Sequence, residues 1–203
     1  CCEMCLALAK AGVKTIADVS LPGMKALGFA EGADLADFSL GIAREFEIFA
    51  LRFDYGYSAE TIAKISEEVP IVLNASTIRE CELDELPKNA KQIIAMHNYY
   101  PRPETGIDLE FVLSQNMMLK ERGMEVYAFA SGDFELAPPL REGLPTIESL
   151  RCSSVYASYV YLKEKCGIDK LFVADAGIDS QSIELINLYE EEGIICLPID
   201  ADA

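Results

Sequence analysis

Short apolar, β-branched runs alternate with longer stretches of helical period along almost the whole chain, and this rhythm limits the fold more than any single motif. The runs fall at 14–19, 48–53, 70–73, 91–96, 125–130 and 170–174, with 194–199 as a seventh. Helices are predicted between them at 33–47, 59–69, 78–86, 108–122, 153–165 and 181–192. Ser58 and Ser180 stand where a side-chain oxygen caps a helix start. Gly123, Gly167 and Gly193 stand where a left-handed residue ends one. Continuously apolar runs imply strands buried on both faces, and a helix after each implies parallel pairing. The class read from this is α/β.

Two parallel architectures compete, an open doubly wound sheet and a closed barrel. No glycine-rich phosphate loop of the GxGxxG or GxxxxGK(S/T) kind follows a run, which disfavours a nucleotide-binding open sheet. Polar residues end nearly every run: Asp18, Asp54, Asn74, His97 with Asn98, Ser131 and Asp175. A ring of polar strand ends is what the mouth of a (β/α)8 barrel requires. Six units do not close eight strands. The expected fold is therefore a parallel (β/α)8 TIM barrel truncated at its N-terminus, with about strands three to eight present. Residues 1–193 are read as this incomplete barrel, and 194–203 as the start of a linker or strand toward a C-terminal β domain. Residues 1–10 read as the back half of a helix that stops near Gly12.

The chain carries 17 basic and 34 acidic residues, a formal charge of −17. Such a surface opposes nucleic acid and anionic lipid, both of which are bound through clustered Lys and Arg. The apolar runs are far shorter than the ~20 residues of a membrane helix. Seven irregularly spaced cysteines argue for a reducing compartment rather than a disulfide framework, and with no leader visible the expected location is the cytoplasm. Cys1, Cys2 and Cys5 lack a second ligand pair, and His97 is the single histidine, so neither a metal nor a cofactor is expected.

Site candidates come from the run ends and from two loops. Asp18 reads either as a carboxylate in the mouth or as a helix cap. Asp54 follows a run and precedes Gly56; period-two spacing puts it on the side of Arg52, so an internal Arg52–Asp54 pair is the structural alternative. Asn74 offers an amide for positioning substrate. The densest segment is 96–106, where Pro101 and Pro103 hold Arg102, a guanidinium suited to bidentate phosphate or carboxylate. His97 and Asn98 add hydrogen-bonding groups, and Tyr100 with Tyr99 adds faces on which a sugar stacks. The long loop 131–148 contains Arg141, Glu142 and several prolines, and reads as an ordered lid with Glu142 its leading carboxylate.

The run from His97 to Gly106, His-Asn-Tyr-Tyr-Pro-Arg-Pro-Glu-Thr-Gly, resembles the signature of the 6-phospho-N-acetylmuramidases. Agreement continues at 18–20, 25–28, 51–57, 73–77, 141–148 and 173–175, in order along nearly the whole chain, whereas 131–140 departs from the Gly-rich form of that family. The resemblance implies a (β/α)8 barrel followed by a cyclophilin-like β domain. It also implies cytoplasmic hydrolysis of a disaccharide of N-acetylmuramic acid 6-phosphate and N-acetylglucosamine during bacterial cell-wall recycling. Such a reaction needs two carboxyl groups, or one acting with the substrate's 2-acetamido group. The candidates rank Asp54, Glu142, Asp175 and Asp18, with Asn74, His97, Asn98, Tyr100, Arg102 and Arg141 binding substrate. Two rivals stay open. An isomerase or aldolase is one, although Lys91 and Lys170 lie at strand beginnings, on the wrong rim for a Schiff base. A non-catalytic sugar-phosphate-binding protein is the other.

Overall fold

The computed structural model describes residues 2–30, 32–54, 57–86 and 92–197. Two compact units are distinguished, Cys1–Met96 with Arg122–Glu125, and His97–Glu121 with Val126–Ala203.

In the first unit, helix α1 (Cys2–Lys10) leads into β1 (Ile16–Val19), α2 (Leu21–Ala26), α3 (Leu35–Glu45), β2 (Ala50–Phe53), α4 (Ala59–Ser66), β3 (Ile71–Asn74), α5 (Glu80–Asp84) and β4 (Ile93–Met96). The four strands pair in parallel, in sequence order. All four residues of β3 are buried, as a run apolar on both faces requires. Its neighbours Leu51, Phe53 and Ala95 are buried with it, as are Leu40, Ala43, Ile62 and Ile65 of α3 and α4. Ser58 caps α4 by accepting from the Thr61 amide. Helix α2 escapes the sequence reading because Leu-Pro-Gly looks like a turn. Pro22 instead occupies the helix start, where no amide donor is needed, and Ser20 accepts from the Gly23 amide.

The second unit contains α6 (Leu109–Glu121), most of β5 (Glu125–Ala130), α7 (Val155–Cys166), β6 (Lys170–Val173) and α8 (Ser180–Glu192). β5 and β6 pair in parallel, Tyr127 opposite Lys170 and Ala130 opposite Val173. Val112, Leu119, Val126, Ala128, Leu162 and Ile168 are buried among these elements. Gly167 and Gly193 end α7 and α8 at φ 64° and 69°, the left-handed region that favours glycine. Asp133 binds two helix starts at once. Its carboxylate accepts from the Val155 amide at the start of α7 and from the Asp179 amide and Ser182 hydroxyl at the start of α8.

The strand pairs within the units are all parallel, with one isolated antiparallel bridge between Glu135 and Gly177, so the α/β class holds. Three details of the sequence reading do not. The run 194–197 forms no strand: Ile194, Ile195 and Leu197 are 44, 52 and 79% exposed, and the Cys196 amide donates to the Tyr156 hydroxyl rather than to a ladder. Residues 198 and 199 of that run, Lys91 at the start of the fourth, and Gly56 lie outside the described residues. Ser180 is the first residue of α8, not its cap, because the Asp179 carboxylate takes the Gln181 amide. The third detail concerns Arg52. Register places it beside Asp18, and its guanidinium donates to the Asp18 carboxylate at 2.7 Å, whereas Asp54 accepts from Asn74. The internal Arg52–Asp54 alternative gives way to these cross-strand bonds.

Candidate active site

The first unit presents Asp18, Asp54 and Asn74 at the C-terminal ends of β1, β2 and β3, the rim on which parallel α/β folds place their chemistry. Asp18 is exposed and paired with Arg52; the cap of α2 is Ser20, so the capping role considered for Asp18 falls away. Asn74 is 5% exposed, and both ends of its amide are engaged. Its Nδ2 donates to Asp54 Oδ1 at 2.6 Å, and its Oδ1 accepts from the Ser76 amide at 3.0 Å. Asn74 therefore orients Asp54, which itself stays exposed.

The second unit brings three expected site residues together. Arg102, Arg141 and Glu142 line one cavity of about 280 Å³, walled by Pro101 and by residues 137–140 and 143–144. Two guanidiniums and one carboxylate at an open cavity can hold an anion and leave an acid or base beside it. Two loops build this cavity, and backbone hydrogen bonds stitch them together. The Tyr100 amide donates to the Pro145 carbonyl, the Ile107 amide to the Thr146 carbonyl and the Glu148 amide to the Ile107 carbonyl. The Thr146 hydroxyl donates to the Asn98 carbonyl and accepts from the Phe129 amide. Asn98 and Tyr100 are half-buried and contribute main-chain atoms to this seam, while Tyr99 sets its ring edge-on to Phe129.

Asp175 is 9% exposed and accepts three backbone amides, from Gly132 at 2.8 Å, Ala137 at 2.8 Å and Leu144 at 3.0 Å. It gathers both ends and the middle of the lid loop. His97 has no exposed surface, and its Nε2 lies 2.8 Å from Asn116 Oδ1. Because Asn116 spends its NH2 on the Cys166 carbonyl, its oxygen is the acceptor and His97 Nε2 carries the proton. Burial lowers the His97 pKa, with the Asn116 bond opposing, so the ring is held neutral. Among the described residues, no three Cys, His, Asp or Glu side chains lie together as a metal cluster would require, and no helix is long and apolar enough to cross a membrane.

The family described as 6-phospho-N-acetylmuramidase, N-terminal, matches residues 1–188. The chain belongs to this family. Among solved structures, a conserved protein of unknown function from Enterococcus faecalis is 34% identical, with a TM-score of 0.81 over 95% of this chain and 54% of that one. An uncharacterised Bacillus cereus protein is 22% identical, with a TM-score of 0.74 over 90% of this chain and 51% of that one. This 6-phospho-N-acetylmuramidase family chain thus spans about half the length of these two structures. No curated protein matches it.

Sequence reasoning about this family member did not single out two residues that bind the backbone of the cavity's loops. Glu148 ends the lid loop, and its carboxylate accepts from the Glu104 amide at 2.9 Å and the Gly106 amide at 2.7 Å. Arg151, 8% exposed, donates to Glu148 through Nε at 2.7 Å and Nη2 at 2.6 Å. That bidentate bond, then the two amides, hold the Glu148 carboxyl down at about 2, with burial opposing. Gly106 is required where it stands: a Cβ there would fall 2.6 Å from Glu148 Oε2 and 2.8 Å from the Glu148 backbone. The one trace in the sequence is the three-residue spacing of Glu148 and Arg151 across a single 3-10 turn, Glu148–Leu150.

Proposed function

We propose that the chain is the barrel part of a cytoplasmic glycoside hydrolase that releases N-acetylmuramic acid 6-phosphate from a cell-wall-derived disaccharide 6-phosphate. The fold behind this reading is an incomplete (β/α)8 barrel. Family membership supports the reaction class. One observation carries the substrate: the cavity sets Arg102 and Arg141 together in a chain of charge −17. A long-range field of that sign opposes an anionic ligand, so phosphate recognition must come from short-range donors, and a guanidinium fork matches two phosphate oxygens. A volume of about 280 Å³ lies near the lower end of small-molecule pockets and suits one phosphosugar ring rather than a whole disaccharide.

Asp54 and Glu142 are the proposed acid–base groups. Both are exposed; Asp54 is oriented by Asn74, and Glu142 lines the cavity with the arginines. Asp175 and Asp18 rank below them, since their oxygens serve backbone amides and Arg52. Asn74 orients Asp54, Asn98 and Tyr100 join the two loops of the cavity through main-chain atoms, and the proton inventory needs no metal or cofactor.

The test is product analysis on the disaccharide 6-phosphate, compared between parent and Arg102→Ala. A charged hydrogen-bond pair contributes on the order of 1.5–3 kcal/mol, so the variant should lose roughly ten- to a hundred-fold in kcat/KM on the phosphorylated disaccharide and little on the unphosphorylated one. Equal losses on both would mean that Arg102 shapes the loop and does not read phosphate. Binding without any cleavage would favour the non-catalytic sugar-phosphate-binding reading. Rearranged sugar in place of two hydrolysis products would favour an isomerase.

A further inference from the structure

We infer that Arg151, clamped by Glu148, is a positioning residue that holds the Arg102 loop and the Arg141–Glu142 loop in one register, so that the charged groups of the cavity are set as a unit. The inference rests on the reading of that cavity as the phosphosugar site.

The donor inventory is its first support. A guanidinium has five N–H groups. In Arg151, Nε and one Nη2 hydrogen go to Glu148, and the remaining Nη2 hydrogen goes to the Arg102 carbonyl at 3.0 Å. Nη1 donates to the Tyr100 carbonyl at 2.9 Å and the Gly143 carbonyl at 3.0 Å, with the Glu142 carbonyl at 3.4 Å sharing a hydrogen. Every donor is used, and none goes to a strand. All the backbone acceptors lie in the two loops, and two belong to Arg102 and Glu142, whose side chains line the cavity. A lysine in this place has no planar fork with which to reach both loops together.

Backbone conformation is the second support. Glu104 and Arg141 have φ of 61° and 56°, the left-handed region that non-glycine residues seldom occupy. Such residues persist where their surroundings over-determine them. Glu104 donates its amide to Glu148, and Arg141 adjoins Glu142, whose carbonyl faces Arg151. The same ion pair thus sits behind the unfavourable turn in each loop. Arg151 is buried, so its effect on substrate passes through the loops.

Arg151→Lys and Glu148→Gln in the full chain test this, because Arg151→Ala can abolish folding. Site-resolved amide exchange and the ratio of kcat/KM for phosphorylated over unphosphorylated disaccharide are measured on parent and variants. The expected result is a cooperative melt with the amides of Glu104, Gly106 and Leu144 exchanging about tenfold faster or more, as loss of one charged hydrogen bond implies. The phosphate preference should fall by a similar factor, through KM for the phosphorylated substrate. Parent-like protection in both loops overturns the inference, and so does faster exchange spread evenly through α7 and β6. A parent chain that cleaves neither disaccharide overturns the glycosidase reading instead, and loop exchange in Arg151→Lys then decides the positioning role alone.

Discussion

Asp175→Asn separates a carboxylate that does chemistry from one that holds a loop. In the parent, Asp175 Oδ2 accepts the Gly132 and Leu144 amides and Oδ1 accepts the Ala137 amide. An asparagine has one carbonyl oxygen. Whichever way its amide turns, an NH2 group faces at least one backbone N–H that pointed at oxygen. Orphaning one such donor in a buried site costs about 1–3 kcal/mol, and the surviving bonds weaken as their acceptor loses its charge, for a total of about 2–4 kcal/mol. In a chain of this size each kcal/mol moves the melting midpoint by roughly 2–4 °C, so a drop of about 5–15 °C is expected. Amide exchange at Gly132, Ala137 and Leu144 should accelerate together while β5 and β6 keep their protection. A variant that melts with the parent, keeps those three amides protected and yet loses turnover would refute the reasoning. The charge of Asp175 would then be spent on the reaction and not on the lid.

Two further outcomes follow from the Glu148 contacts. Gly106→Ala drives a Cβ to within 2.8 Å of the Glu148 backbone, so the 104–106 turn must withdraw, at about 1–3 kcal/mol in a denaturant titration. An unshifted midpoint would show that the turn yields freely. With its pKa held at about 2 against an ordinary 4.5, Glu148 binds fewer protons folded than unfolded. Its stabilisation is complete above about 4.5 and is lost as pH falls toward about 2. Melting of the parent should therefore decline more steeply through that window than melting of Glu148→Gln, and parallel profiles would contradict the assignment.

The strands were legible because burial on both faces demands unbroken apolar runs, and β3 is buried at all four positions. Ser58, Gly167 and Gly193 were legible because capping chemistry is local. Where local signals compete, sequence misleads: Asp179 and Ser180 are both good caps, and only the folded backbone shows which oxygen meets the Gln181 amide. The run 194–197 carries β-branched residues without a partner strand among the described residues, and propensity alone makes no ladder. Arg102, Arg141 and Glu142 were legible because charged side chains in proline-stiffened loops are conspicuous. Arg151 was not. Apart from Glu148, its partners are carbonyls of residues up to 51 positions away, and a carbonyl is the same at every residue. Asp175 was noticed for its charge, but its three amide partners leave no mark in the sequence.

Asp133 joins the starts of α7 and α8, more than twenty residues apart, through one carboxylate. Ordinarily each helix frays from its own first turn, independently of its neighbours. Here the first amide of α7 and the capping residue of α8 draw on a single acceptor group, so releasing it from one perturbs the other. Opening of the two starts is thereby coupled, and a protease probing this unit should find cleavage at one helix start accompanied by faster cleavage at the other.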